Sequence, residues 1–202
     1  MSEIAPKEKK GLAQLTKQKV LNLGTMIWPE KNKRELLEIN GFIENYSRLP
    51  HGRKLDVAER GECPDYFLID TSTGDRFGVE LTSVYSSDKS VVKYHIPDQA
   101  GPVEIKDDPQ ELELYKSRLV KKVSEKIEKA KKYELTAPLI LSIYVNEYIS
   151  IYLSVDDIKD LIKKNSNIFD AMQPFSEIVF WSLPNSGICS VRIASPIISL
   201  ES

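Results

Sequence analysis

The sequence of 202 residues contains only two cysteines and two histidines, and it has no long hydrophobic run. Cys63 and Cys189 show no metal-ligand spacing, and we expect both to be reduced thiols. No apolar run reaches the length that a membrane-spanning helix needs, and the N-terminal residues are polar and charged rather than a secretory signal. These absences predict a cytoplasmic protein without a paired-cysteine metal site.

An excess of charge of one sign is also lacking, because 28 lysines and arginines stand against 30 acidic residues. The net charge of −2 and the apolar fraction of 41% are ordinary for a globular domain. The totals therefore indicate neither a disordered chain nor a wholly basic nucleic-acid binder. A chain of this length is expected to fold as one domain with a sizeable core.

Several catalytic signatures are absent as well. The sequence has no phosphate-binding glycine loop, no G-x-S-x-G and no H-E-x-x-H. His51 and His95 have no partner at metal-ligand spacing, and we interpret both as surface histidines. Any chemistry is therefore expected to depend on carboxylates and lysines.

The stretch from residue 63 to residue 85 is predicted to form a hairpin that carries two carboxylates. Tyr66–Ile69 and Phe77–Val84 have the apolar character of strands, and Thr71–Asp75 supplies turn residues. Asp65 opens the first strand, and Glu80 lies in the middle of the second. A carboxylate among apolar strand residues is costly to bury unless it is paired or coordinated. Two carboxylates placed side by side would suit a hard divalent cation.

A helix predicted from about Pro109 to Tyr133 carries a lysine on its apolar face. That face contains Leu119, Val123, Ile127, Ala130 and Tyr133. At about 100° per residue, Lys126 falls within the face, while Lys122 and Lys129 lie at its margin. A lysine in this position either extends its ammonium to solvent or is held by an acidic partner.

The remaining pattern alternates between helices and strands. Helical spacing covers residues 29–48, and Ala137–Val145 is a near-continuous apolar run typical of a central strand covered on both faces. Ser154–Asp157 resembles a capping box that starts a helix through Lys164. Two more strands are predicted over residues 177–183 and 188–194. This order predicts an α/β domain over residues 29–202, with helices packed on a central mixed sheet.

Three segments carry no firm element in this prediction. Residues 1–28 are interpreted as a basic N-terminal arm or helix, whose lysines are either solvated or in contact with phosphates. Residues 53–62 are charged and irregular. Residues 86–110 are rich in Ser, Asp, Gly and Pro and are predicted to form a long loop, a kind of segment that is often functional or mobile.

The hairpin residues resemble the signature of the PD-(D/E)xK nuclease superfamily, which has the restriction-endonuclease-like fold. Pro64 and Asp65 stand for the "PD", and 14 residues separate Asp65 from Glu80. Glu80 begins the segment that stands for "(D/E)xK". The order of predicted elements over residues 31–145 is similar to the αβββαβ core of that superfamily.

The chain departs from the signature at Thr82, which stands where the lysine is expected. Some members of the superfamily carry this lysine on the neighbouring helix instead, and Lys126 fits that substitution. Lys126 on its apolar helix face would then supply the lysine that the strand carrying Glu80 lacks.

The resemblance implies metal-dependent hydrolysis of phosphodiester bonds. Asp65, Glu80 and the backbone carbonyl of Leu81 would hold Mg²⁺ or Mn²⁺. Lys126 would orient or deprotonate a water and stabilise the phosphate. A glutamate of the first helix often completes such sites, and we rank Glu38 ahead of the other acids of that helix, Glu44 and Glu35.

Two other functions remain open from the residues alone. The chain can be a nuclease fold that binds nucleic acid or a protein partner without cutting, for which the missing strand lysine is the best support. It can also be an unrelated α/β domain in which Asp65 caps a turn and Glu80 pairs with a surface cation. For a nuclease we expect DNA, or else RNA, as the substrate, and a homodimer would make it easier to cut both strands.

Overall fold

The computed structural model describes residues 31–84, 109–145, 153–182, 188–194 and 197–201, with side chains for residues 35–84, 109–145 and 153–182. The chain divides into two units, and residues 31–37 belong to the first. All other described residues belong to the second unit, which contains the sheet and the site. The predicted arm, most of the predicted long loop and His95 lie outside the described residues. In the described part of the chain, no helix is long and apolar enough to cross a membrane.

Seven strands of the described chain form one mixed sheet, in which their spatial order follows their order in the sequence. The strands are β1 (Leu55–Arg60), β2 (Tyr66–Asp70), β3 (Arg76–Val84), β4 (Leu139–Val145), β5 (Phe175–Trp181), β6 (Ile188–Ala194) and β7 (Ile197–Glu201). Strands β1, β2 and β3 are antiparallel neighbours, β3, β4 and β5 run parallel, and β6 and β7 are again antiparallel. The predicted α/β class with a mixed central sheet is confirmed.

The described chain also contains four helices, of which the first precedes β1 and the others lie between strands. They are α1 (Lys31–Tyr46), α2 (Pro109–Ala130), α3 (Val155–Lys164) and the single turn α4 (Ser166–Phe169). The capping box predicted for α3 is confirmed, because Ser154 Oγ accepts from the Asp157 N–H and the Asp157 carboxylate accepts from the Ser154 N–H.

Helices α1 and α2 pack against opposite faces of the sheet. The apolar stripe of α2, including Leu119 and Val123, shares a core with Leu141 of β4. On the other face, Phe42 of α1 shares a second core with Ile140 of β4. Because successive side chains of a strand point to opposite faces, a strand covered on both sides must be apolar at every position or nearly so. This explains why all seven residues of β4 are buried.

Two strands were not predicted from the sequence. Residues 53–62, interpreted as irregular, contain β1, which is the edge strand beside β2. Only Leu55 of β1 is buried, so this strand has no alternation of apolar and polar residues from which it could be recognised. The last strand, β7, pairs with β6 and was also missed.

Candidate functional site

Glu80 is a carboxylate buried in the centre of strand β3. Its side chain is 1% exposed. The alternation of the strand directs Glu80 and Val84 to the face covered by α2, whereas Val79 and Leu81 belong to the core on the α1 side. Glu80 pairs along the parallel ladder with Leu141 of the fully buried β4. A charge in this position needs donors from the helix above it.

Three side chains of α2 and the residues just after it supply those donors, and all three bond the same oxygen. Lys126 Nζ lies 2.8 Å from Glu80 Oε1, Tyr133 Oη lies 2.9 Å from it and Lys129 Nζ lies 3.2 Å from it. The other oxygen, Glu80 Oε2, is buried and has no hydrogen-bond partner among the residues that the structure describes. Among the described residues, one oxygen of the carboxylate therefore accepts from three donors and the other accepts from none.

Lys126 also bonds the backbone of β3. Its ammonium donates to the carbonyl oxygen of Leu81 at 2.9 Å, and its side chain is 16% exposed. Of the two explanations offered for a lysine on this helix face, the structure shows the acidic partner and not extension to solvent. The contact between Lys126 and Glu80 on which the sequence interpretation depended is present.

Asp65 approaches the same segment of β3 from the hairpin. Asp65 Oδ2 accepts a hydrogen bond from the backbone N–H of Leu81 at 2.7 Å. Leu81 thus donates to one predicted site residue through its N–H and accepts from another, Lys126, through its carbonyl. The three predicted residues Asp65, Glu80 and Lys126 meet around this short length of backbone.

Close packing against Gly78 fixes the position of the Pro64–Asp65 segment. A Cβ atom placed on Gly78 would lie 2.8 Å from Pro64 Cγ and 3.1 Å from Leu139 Cδ1. Real Cβ atoms do not approach other atoms as closely as 2.8 Å, so the ring of Pro64 occupies space that any other residue would fill. Gly78 is required where it stands because the proline packs on its backbone.

The contacts of Glu80 hold its pKa below the usual value. Burial alone would raise the pKa of Glu80, but the charge of Lys126 and the hydrogen bonds from Lys126 and Tyr133 outweigh it. Burial is the main cause that raises the pKa of the Tyr133 phenol, which stays a proton donor. A hydrogen bond with Tyr133 is the largest cause that raises the pKa of Lys129, and the charge of Glu80 adds to it against the effect of burial. At neutral pH the cluster is a carboxylate, a phenol and a charged ammonium from Lys129.

The first-helix glutamates are placed differently from Glu80. Glu38 accepts a hydrogen bond from Ser83 Oγ, and Ser83 points to the α1 face, opposite to Glu80. Glu44 pairs with Arg48 on the surface, and Glu35 lies in the other unit. Thr82 is buried and shares the face of Glu80 by strand alternation. In the described chain, no group of three or more Asp, Glu, His or Cys side chains is close enough to hold a metal ion.

Sequence reasoning missed Lys129 and Tyr133 as neighbours of Glu80. Both follow Lys126 at spacings of three and seven residues, which place side chains on one helix face. Helical spacing places Tyr133 on the apolar face of the helix and Lys129 at its margin. The signal was therefore present, but it was interpreted only as packing.

A second buried carboxylate lies on the α1 side. Tyr46 Oη donates to Glu177 Oε2 at 2.9 Å, and His51 Nε2 lies 2.7 Å from Glu177 Oε1. The His51 side chain is only 12% exposed. The interpretation of His51 as a surface histidine was wrong, because its acidic partner is 126 residues away in the sequence and no local pattern reveals it.

Comparison of the chain with protein-family models found no match, and neither did searches of curated proteins and of solved structures.

Proposed function

We propose that the protein is a metal-dependent nuclease that hydrolyses phosphodiester bonds of DNA or RNA through a PD-(D/E)xK-like site. One observation carries the proposal. Lys126 of α2 bonds Glu80 of β3, and β3 itself has Thr82 at the position where the motif has its lysine. A lysine that comes from the helix supplies the cation that the strand lacks.

The order of the elements supports the same proposal. Helix α1, strands β1, β2 and β3, helix α2 and strand β4 follow one another as α, β, β, β, α, β. This is the αβββαβ order of the restriction-endonuclease-like core that the sequence resembles. The unpredicted strand β1 completes it, because without β1 the order would be one strand short.

The donor set of the site fits a hard divalent cation. Glu80 Oε2 is a buried carboxylate oxygen that lacks a partner among the described residues, and such an atom is costly unless something binds it. With Asp65 and the carbonyl oxygen of Leu81 it would form an all-oxygen ligand set, which Mg²⁺ and Mn²⁺ prefer. When bound, the metal would supply neutralisation of phosphate charge and a water of lowered pKa.

The side chains of the site have separate tasks in this mechanism. Tyr133 and Lys126 hold Glu80 in one orientation by bonding Oε1. The N–H of Leu81 orients Asp65. An ammonium has three protons to donate, and Lys126 uses two of them on Glu80 and Leu81. The third has no acceptor among the described residues and would donate to a phosphate oxygen whose charge increases in the transition state.

The basic surface of α2 supports nucleic acid as the substrate. Lys122 is exposed and lies on this helix with Arg118, and the exposed Lys132 follows just beyond its end. Lysines and arginines that meet a phosphate backbone provide affinity that is independent of sequence and falls with salt.

A cleavage assay with matched variants tests the proposal. Plasmid DNA and a long RNA are incubated with Mg²⁺ or Mn²⁺, with and without a chelator. The wild type is compared with Asp65→Asn, Glu80→Gln and Lys126→Met, and Lys121→Met removes an exposed lysine of the same helix as the control. We expect metal-dependent cleavage by the wild type and the control only. Cleavage that survives Glu80→Gln, or a wild type that cuts neither nucleic acid, would rule the nuclease out.

One observation favours a second function, a nuclease fold that binds nucleic acid without cutting it. Lys126 bonds both Glu80 Oε1 and the carbonyl oxygen of Leu81, so an internal ammonium already contacts two of the oxygens assigned to the metal. If this ion pair is permanent, the wild type retains oligonucleotides in a salt-dependent manner but leaves them intact with either metal. Binding without cleavage in the same assay would identify this function.

A further inference from the structure

Lys129 stands out among the lysines of α2 because it is exposed to solvent and also contacts the site. Its side chain is 55% exposed, compared with 16% for Lys126, yet its ammonium lies 3.2 Å from Glu80 Oε1. Its ammonium also lies 5.5 Å from the centre of the Tyr133 ring. Lys129 therefore lies at the solvent side of the cluster around Glu80.

The bond between Lys129 and Glu80 is the one that the carboxylate needs least. A carboxylate oxygen has two lone pairs, and Glu80 Oε1 has three donors. The Lys129 contact is the longest of the three. Lys126 alone balances the charge of Glu80, so the second ammonium is a surplus positive charge held over a buried acid.

Neighbouring exposed lysines lie close to acids of their own helix. Glu125 lies near both Lys121 and Lys122, and Glu128 bonds Lys131. Lys129 instead contacts Glu80, the same carboxylate that Lys126 contacts. Lys129 is thus an exposed cation of this helix whose ammonium contacts the site.

We infer that Lys129 is a substrate-binding residue. Its ammonium releases Glu80 Oε1 and contacts a non-bridging oxygen of the phosphodiester held at the site. This inference rests on the proposed nuclease function. An ammonium on a flexible stem suits this exchange, because it binds phosphate as a point charge and needs no fixed geometry. Its departure leaves Oε1 with Lys126 and Tyr133, two donors for two lone pairs.

The test separates substrate binding from structural support of Glu80. Cleavage of a short labelled oligonucleotide is followed over a range of substrate concentrations, and its binding is measured over a range of salt concentrations without added metal. Lys129→Met is compared with Lys129→Arg and with the control Lys121→Met. We expect Lys129→Met to raise KM and the dissociation constant by about threefold to tenfold. The slope of log affinity against log salt should fall by about one, and Lys129→Arg should restore most of both.

Other outcomes distinguish this inference from the proposed function. If the wild type cuts and Lys129→Met leaves KM and the salt slope as they are in Lys121→Met, the inference on Lys129 is wrong and the nuclease stands. If Lys129→Met lowers kcat alone, Lys129 supports Glu80 and does not bind substrate. If the wild type binds but does not cut, the nuclease is excluded, and the salt slope alone decides whether Lys129 meets the phosphate. If the wild type neither cuts nor binds, both proposals fail.

Discussion

The ammonium of Lys126 lies 2.8 Å from Glu80 Oε1 and 2.9 Å from the carbonyl oxygen of Leu81. One side chain therefore joins α2 to strand β3 and compensates the charge buried in that strand. Because Glu80 is inaccessible to water, removing its partner has a different consequence from removing a surface lysine. Under the proposed nuclease function, stability and cleavage would both depend on this pair.

Lys126→Met is expected to lower the free energy of unfolding by about 2–4 kcal/mol, because it leaves the Glu80 carboxylate with weaker compensation. Adding Glu80→Gln should recover part of the loss, since a neutral amide needs no counter-charge. Urea denaturation of both single variants and the double variant measures this coupling. Lys121, which is 77% exposed, supplies the control: Lys121→Met should change stability by less than about 0.5 kcal/mol. Strict additivity of the two site variants would contradict the pairing.

Acid is expected to remove the stabilisation that Glu80 provides. The pKa of Glu80 in the folded chain lies below its ordinary value of 4.5, so the unfolded chain binds its proton first. The contribution is fully present above pH 4.5 and is lost as the pH falls through the lower folded pKa. The difference in unfolding free energy between the wild type and Glu80→Gln should therefore shrink below pH 4.5. Denaturant titrations at neutral and acidic pH measure it, and a difference independent of pH would refute the charge pairing.

Gly78→Ala is expected to reduce both stability and cleavage. The new methyl group would lie 2.8 Å from Pro64 Cγ, so Pro64 and the adjoining Asp65 must shift, at a cost of about 1–3 kcal/mol. Gly74→Ala is the matched control. Gly74 has a φ of +79° in the hairpin turn and open space around it, so alanine there costs about 1–2 kcal/mol of backbone strain without moving Asp65. Thermal unfolding should show similar destabilisation of Gly78→Ala and Gly74→Ala. Cleavage rates should show that cleavage is lost in Gly78→Ala alone.

Tyr46→Phe is expected to destabilise the fold by about 1–3 kcal/mol and to leave cleavage unchanged. The substitution removes a donor from the buried Glu177 carboxylate, which belongs to the α1 side of the sheet rather than to the site. Urea denaturation and the plasmid assay measure the two effects. In a Glu177→Gln background the same substitution should cost less. A loss of cleavage at temperatures where the variant is folded would show that this cluster acts on the site.

The amino-acid pattern predicts those parts of the fold in which side-chain polarity follows burial or capping. Ala137–Val145 reads as a central strand because both of its faces are covered, and α3 is recognised by its Ser154–Asp157 cap. Strand β1 gives no such signal. It lies at the edge of the sheet and is held by backbone hydrogen bonds to β2. Backbone pairing does not require particular side chains, so the exposed side chains of β1 show no strand pattern.

The site could be predicted only in part for a related reason. Lys126 and Glu80 are recognisable in the sequence because each places a charged group among apolar residues, where it is costly to bury without a partner. Lys129 and Tyr133 are ordinary residues at their positions until Glu80 is known to lie beneath them. The pairing of His51 with Glu177 spans 126 residues, and only the three-dimensional fold brings these two side chains together.

The separation of 46 residues between Glu80 and Lys126 also orders events during synthesis of the chain. At about 5–20 residues per second, the ribosome takes roughly 2–9 s to reach Lys126 after it has added Glu80. Throughout this interval the chain lacks the ammonium that compensates the buried acid in the folded protein. Glu80 is therefore expected to stay hydrated on the nascent chain, and this face of the sheet closes only when α2 emerges.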